Sequence, residues 1–228
     1  MPVRFRSVWT AIAAAWAACR AADARVVRGW VLGTLIVAAA GGTVYTYYRA
    51  SYTHSRRLRV VTDGEFYRSG QLTASGFREA FRRYGIRTVI NLQEEDRDPL
   101  LPEQWQGKPT VSESDVCKAS GVKYVSLDGG ALDEPNGFPG SRPAIIDEFL
   151  AVLDDKVKYP HPVLIHCKAG LHRTGLLTAI YRMEYEECTK PAAIHEMRAN
   201  GFGTHDATDG NLYLEKLIFP FVPHERRK

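Results

Sequence analysis

Val163–Gly175 reads Val-Leu-Ile-His-Cys-Lys-Ala-Gly-Leu-His-Arg-Thr-Gly, and the reading of the whole chain turns on it. An apolar run ends at Cys167, Arg173 stands six residues on, and an apolar helical pattern begins after Thr174. The pattern predicts a strand, a tight glycine-containing loop and a helix N-terminus, in that order. Such a loop turns successive backbone N–H groups inward and, with the positive end of the helix dipole, makes a dianion site. Arg173 supplies a planar fork that grips two phosphate oxygens, which a lysine ammonium does not. The same field stabilises a thiolate at Cys167, the form in which cysteine is a nucleophile. Thr174 is placed to donate a hydroxyl to the sulfur, and His166 to steady the loop from the strand side.

Working outward, strands and helices alternate. Gly64–Gln71 reads as a strand and turn; Thr73 or Ser75 caps a helix through Phe77, Ala80, Phe81 and Tyr84 that ends at Gly85. Ile86–Leu92 is a β-branched strand, and the Pro- and Gly-punctuated stretch 94–108 is a loop. Ser112–Ser120 is a short helix closed by Gly121, Val122–Leu127 a strand, and 128–142 a Gly/Pro-rich loop. Pro143–Asp155 is a helix with proline in its first turn. Thr174–Glu187 is the helix behind the loop, with Leu176, Leu177, Ile180 and Met183 on its buried face. Thr189 caps Pro191–Asn200, and a last helix covers about Thr208–Ile218. The alternation predicts an α/β layered fold with the loop at the carboxyl end of a central strand.

The Cys-x5-Arg-Thr stretch resembles the signature of the protein tyrosine phosphatase superfamily. Its His-Cys-Lys-Ala-Gly-x-x-Arg-Thr-Gly form is nearest to the dual-specificity and lipid-phosphatase branch and its bacterial relatives. Tyr67-Arg-Ser-Gly-Gln71 resembles an opening found in the same relatives, and the likeness runs from about Val60 to about Phe221. His172 departs from it, since many relatives carry a small residue there; it is expected to alter the loop's charge modestly. The resemblance implies a cysteine-phosphatase fold, a mostly parallel central sheet flanked by helices, and no metal or organic cofactor. It makes Cys167 the nucleophile and Arg173 its catalytic partner. Lys168, Ala169, Gly170, Leu171, His172, Arg173 and Thr174 form the phosphate-binding loop, with His166 and Thr174 in support. It also implies an aspartate acid on the loop before the helix that precedes Val163. Asp128 and Asp133 are the candidates, Glu134 a third. Asp128 is preferred, because a strand end is held more firmly than a loop tip.

Phosphotyrosine or phosphoserine/threonine proteins are the expected substrates. A phosphoinositide or other lipid phosphate is the alternative, suggested by Lys168 beside Cys167; Leu171, where a second base would help, argues against it. A non-catalytic phosphate-binding adaptor is the rival from another class, and the thiol, which a pure binder does not need, argues against that.

Gly29–Tyr48 carries no charge and is long enough to span a membrane as a helix, with Trp30 at one edge and Tyr45, Tyr47 and Tyr48 at the other. Ser7–Cys19 is too short to span and suits an interfacial helix or a segment like the apolar region of a signal sequence. Arginines flank the span on both sides, so charge gives no orientation. The cytoplasmic side is expected because an exposed reactive thiol belongs in a reducing compartment. The expected organisation is 1–28 basic and apolar segment, 29–48 transmembrane helix, 49–59 linker, 60–221 phosphatase domain and 222–228 basic tail. With 228 residues there is room for one catalytic domain plus that appendage. The net charge of +4 is small and gathers near the apolar segment, so no nucleic acid partner is expected. The 4 cysteines (Cys19, Cys117, Cys167, Cys188) have no paired spacing, which argues against a disulfide scaffold or a zinc site.

Overall fold

The computed structural model describes residues 10, 24–48, 56–95, 111–127, 143–203 and 213–225. The chain divides into two compact units, Met1–Tyr48 and Arg49–Lys228. Beyond the helical residue Thr10, the described part of the first is a helix, α1 (Ala24–Tyr48), with no buried residue. It is long and apolar enough to cross a membrane. It begins five residues before the sequence-read span. Apart from Thr10, the stretch Ser7–Cys19 lies outside the described residues.

The second unit is built on five strands: β1 (Arg59–Thr62), β2 (Phe66–Gly70), β3 (Thr88–Asn91), β4 (Lys123–Ser126) and β5 (Val163–Cys167). They pair in the order β1-β2-β5-β3-β4. Only the β1–β2 pairing is antiparallel; the other three are parallel. The described helices are α2 (Ala74–Tyr84), α3 (Glu113–Ala119), α4 (Ala144–Asp154), α5 (Arg173–Tyr185), α6 (Lys190–Ala199) and a final turn α7 (Tyr213–Lys216).

β5 sits at the centre with a parallel neighbour on each side, and every residue in it is buried. That is why it reads as a continuous apolar run rather than an alternation. Its alternate residues still feed different layers. Val163 and Ile165 join Phe66, Ile90 and the inner faces of α4 and α5 in one core. Leu164 joins Tyr67, Val89, Phe77 on α2 and Val116 on α3 in the other. The period of two thus assigns one layer of helices to each side of the sheet. In the larger core the rings of Phe66 and Tyr181 stack at 4.1 Å and 10°, tying β2 to α5.

The caps follow the local chemistry. Thr73 accepts the Gly76 N–H and Gly85 closes α2 in the left-handed region, at φ 64. Ser112 accepts the Asp115 N–H and so starts α3.

Two readings need correction. Residues 49–59 were expected to be a linker, yet Arg56 and Arg57 form a turn and Arg59 starts β1. β1 lies at the edge of the sheet with a half-exposed, non-alternating pattern, so it carries no periodic signal. The last helix is shorter than Thr208–Ile218 where it is described, since residues 217–220 are turn. The loop at 128–142, with Asp128, Asp133 and Glu134, lies outside the described residues, as does most of 94–108.

Candidate active site

Cys167 ends β5 and lies beside Gly70, the last residue of β2. It is 5% exposed, so the sulfur is held within the structure rather than displayed on it. Arg173 opens α5, and residues 168–172 close the gap. The loop expected from the sequence is therefore in place, with thiol and guanidinium at its two ends.

Each carbonyl of the loop is held by a donor. The Gln71 N–H donates to Lys168 O at 3.2 Å, Arg57 Nη1 to Ala169 O at 3.1 Å and Arg68 Nη2 to Gly170 O at 2.8 Å. The Gly175 and Leu176 N–H groups take Leu171 O and His172 O, at 3.0 and 2.9 Å. In a trans peptide the C=O and the following N–H point in opposite directions. Holding these carbonyls on the outside therefore turns the next residues' N–H groups to the inside. Among the described residues, the N–H groups of 168–174 meet no protein acceptor. A ring of unpaired donors at a helix N-terminus is a site for a tetrahedral anion.

The loop fits only because two glycines meet there. Gly170 has φ +71, and a Cβ on it would lie 2.5 Å from Gly70 N and 2.7 Å from Ser69 C and O. A Cβ on Gly70 would come within 3.1 Å of Ala169 C and Lys168 O. The Ser-Gly end of β2 is thus a floor for the loop, which explains in physical terms why Tyr67–Gln71 and the loop belong together.

Arg68 lies under this floor, 3% exposed. Burial, more than any charge, pulls its guanidinium down to about 10, while the nearby Cys167 sulfur pulls it back up. Arg173 donates Nη1 to Leu92 O at 2.9 Å, which fixes the plane of its fork. Leu92 itself is pinned, its N–H donating to His166 O at 2.9 Å.

His166 does not bond the loop through its side chain. Its Nε2 meets Glu113 Oε1 at 2.6 Å, and the other carboxylate oxygen accepts from Gln71 Nε2 at 3.1 Å. Glu113 is the first residue of α3 and is buried, so this triad ties α3 to β5 and to the end of β2. Thr174 Oγ1 is buried with no protein partner, as a hydroxyl reserved for the sulfur or a bound oxyanion requires. His172 was expected to alter the loop's charge modestly. Burial first, then Arg57 and Arg173, push its pKa below the usual histidine value, so it is neutral at pH 7. Lys168 is exposed at the mouth, while Leu171 is buried. Asp128 and Asp133 are not among the described residues. Leu127 just before them is held at the end of β4 by its N–H to Asn91 O at 2.9 Å. Arg57, Arg68 and Glu113 were not singled out from the sequence. The one available signal was an arginine in the middle of the apolar strand Phe66–Gly70.

Comparison with known proteins gives the same picture. A model described as the tyrosine phosphatase family matches residues 50–184. The dual specificity protein phosphatase TpbA of Pseudomonas aeruginosa is 51% identical over 54 residues, 23% of this chain and 25% of that protein. The Arabidopsis thaliana inositol diphosphatase DSP4 is 36% identical over 89 residues, 39% of this chain and 41% of that one. The chain thus matches less than half the length of either curated relative. Among solved structures, the Siw14 catalytic core is similar with a TM-score of 0.52 at 20% identity, covering 74% of this chain and 86% of that one. That last likeness is one of fold.

Proposed function

We propose that this chain, which belongs to the tyrosine phosphatase family, hydrolyses phosphomonoesters through a phosphocysteine formed on Cys167. The observation that carries this reading is the loop with all its carbonyls held outside and its N–H groups unpaired, strung between a thiol and a guanidinium. The Cys167 thiolate attacks phosphorus, the P–O bond to the leaving group breaks, and an aspartate gives that oxygen its proton. Water then attacks the phosphocysteine, the same aspartate takes a proton from it, and the P–S bond breaks to return thiolate and inorganic phosphate. The loop amides and Arg173 stabilise the charge on the equatorial oxygens at both steps. Asp128 is proposed as the acid, with Asp133 the alternative, because Leu127 anchors the start of that segment.

Phosphorylated proteins are the proposed substrates. A phosphoinositide is the second reading, favoured by the exposed Lys168 at the mouth. The apolar helix α1 is proposed to span a membrane, with the catalytic unit on the cytoplasmic side where a thiolate stays reduced. Protease treatment of intact cells decides the side, since digestion of the catalytic unit from outside overturns it.

The experiment for the reading itself is turnover of an aryl phosphate by wild type, Cys167→Ser and Arg173→Lys. Turnover by wild type is expected, with none for Cys167→Ser and a severe loss for Arg173→Lys, whose point charge lacks the fork. Substantial turnover by Cys167→Ser overturns the mechanism. A panel of phosphopeptides and phosphoinositide vesicles then ranks the two substrate classes. In that panel, Asp128→Asn is expected to slow poor leaving groups far more than good ones.

A further inference from the structure

Arg56 and Arg57 both hold left-handed backbone, at φ 28 and 59. Residues with a Cβ keep that region only where their surroundings over-determine it. Here the surroundings are the catalytic loop and its floor. Arg56 O accepts the Gly70 N–H at 2.7 Å, and Arg57 Nη1 donates to Ala169 O at 3.1 Å. Gly70 in turn backs directly onto Lys168 and Ala169. Turn, strand end and loop are therefore stacked in that order.

The hydrogen bond from Arg57 has a chemical consequence. Ala169 C=O and Gly170 N–H belong to one planar peptide, so fixing the oxygen outward aims the Gly170 N–H inward. The Lys168–Ala169 and Gly170–Leu171 peptides are fixed by Gln71 and Arg68, which belong to β2 and the residue after it. The middle peptide is fixed by a side chain from the turn ahead of β1. That turn follows α1 in the sequence, with only residues 49–55 between.

We propose that Arg57 is a positioning residue for the phosphate loop: its guanidinium locks the Ala169–Gly170 peptide with the N–H toward the bound oxyanion, so the loop is completed by the segment that joins it to the apolar helix. The inference rests on the reading of this loop as a phosphate site. It agrees with the downward push that Arg57 exerts on His172, which places the guanidinium within electrostatic reach of the loop's far end. Arg57 touches no reacting atom in this account. It acts through the peptide, and a purely structural role predicts a different outcome.

The test uses the full chain in detergent micelles, with sodium tungstate as a tetrahedral dianion probe and an aryl phosphate as substrate. Arg57→Met keeps the stem and removes the donor; Arg57→Lys keeps a donor on a similar stem. Tungstate affinity and kcat/KM are both expected to fall by about tenfold or more in Arg57→Met, the size of one hydrogen bond from a charged donor. The melting temperature without tungstate is expected to move little, and Arg57→Lys is expected to recover most of the affinity. Wild-type tungstate affinity in Arg57→Met overturns the proposal, whether or not the melting temperature falls. If Arg57→Met does not fold, Arg57→Leu, which also lacks a donor, supplies the comparison with the same two outcomes. Wild type that neither binds tungstate nor turns over substrate refutes the phosphate-site reading. Wild type that does both, beside an unchanged Arg57→Met, refutes only the role of Arg57.

Discussion

Gly170→Ala probes the contact on which the loop depends. The added methyl would lie 2.5 Å from Gly70 N, against the 3.4 Å at which ordinary contact begins, so loop and floor must separate by about 0.9 Å. Alanine at a left-handed φ costs about 1–2 kcal/mol in addition. Separation by that much breaks the Arg68 bond to Gly170 O, now 2.8 Å, a further loss of about 1.5–3 kcal/mol for a charged donor. The combined cost is about 2.5–5 kcal/mol, and it can be taken in either of two ways. If the loop keeps its shape, the fold loses stability, and the melting temperature drops by about 2–4 °C per kcal/mol for a chain of this size. If the loop moves, the amides no longer converge, and kcat/KM falls by about 10²–10⁴-fold with little change in melting. Thermal denaturation and steady-state kinetics on the same preparation measure both parts. The two losses, in kcal/mol, should add to about 2.5 or more. An alanine variant with wild-type melting and wild-type kcat/KM would mean that the loop does not rest on β2 as described.

Glu113→Ala leaves His166 Nε2 and Gln71 Nε2 buried without their acceptor. A loss of about 2–5 kcal/mol is expected in denaturant unfolding, with Glu113→Gln recovering part of it. For His172 the sign of the pH effect follows from its lowered pKa. The unfolded chain binds more protons than the folded one below about pH 6.5, so stability falls as pH drops through that value and levels off below the folded pKa. His172→Gln should flatten that part of the melting-temperature profile; parallel wild-type and variant profiles contradict the assignment. Burial pushes the thiols of Cys117 and Cys188 up, Cys117 most. Iodoacetamide at neutral pH, followed by peptide mass mapping, should therefore label Cys167 ahead of both.

What could be read from the sequence was local. β5 could be seen because a strand with parallel neighbours on both sides is buried on both faces, and Val163-Leu-Ile165 opens it as an unbroken apolar run. α2 and α3 could be placed because Thr73, Gly85 and Ser112 satisfy helix ends with atoms a few residues away. The loop could be recognised because thiol, glycine and arginine lie within one turn of chain. The residues that hold the loop in shape could not be found in this way. Arg57, Arg68 and Glu113 act on partners 112, 102 and 53 residues distant, and no spacing rule reaches that far. β1 escaped for a related reason, since an edge strand that opens on arginine gains its order from pairing with β2 rather than from its own pattern. The charge of His172 could not be read either, because it depends on burial, which the sequence does not display.

The central claim is that a phosphoryl group passes through Cys167. Rapid chemical quench of the full chain with a phosphotyrosine peptide, followed by mass mapping, tests it most directly. A phosphoryl adduct on the peptide containing Cys167 should form within the first turnover and decay as inorganic phosphate appears, and Cys167→Ser should form none. Release of phosphate at the wild-type rate with no adduct on Cys167, or with Cys167 replaced, would contradict the account.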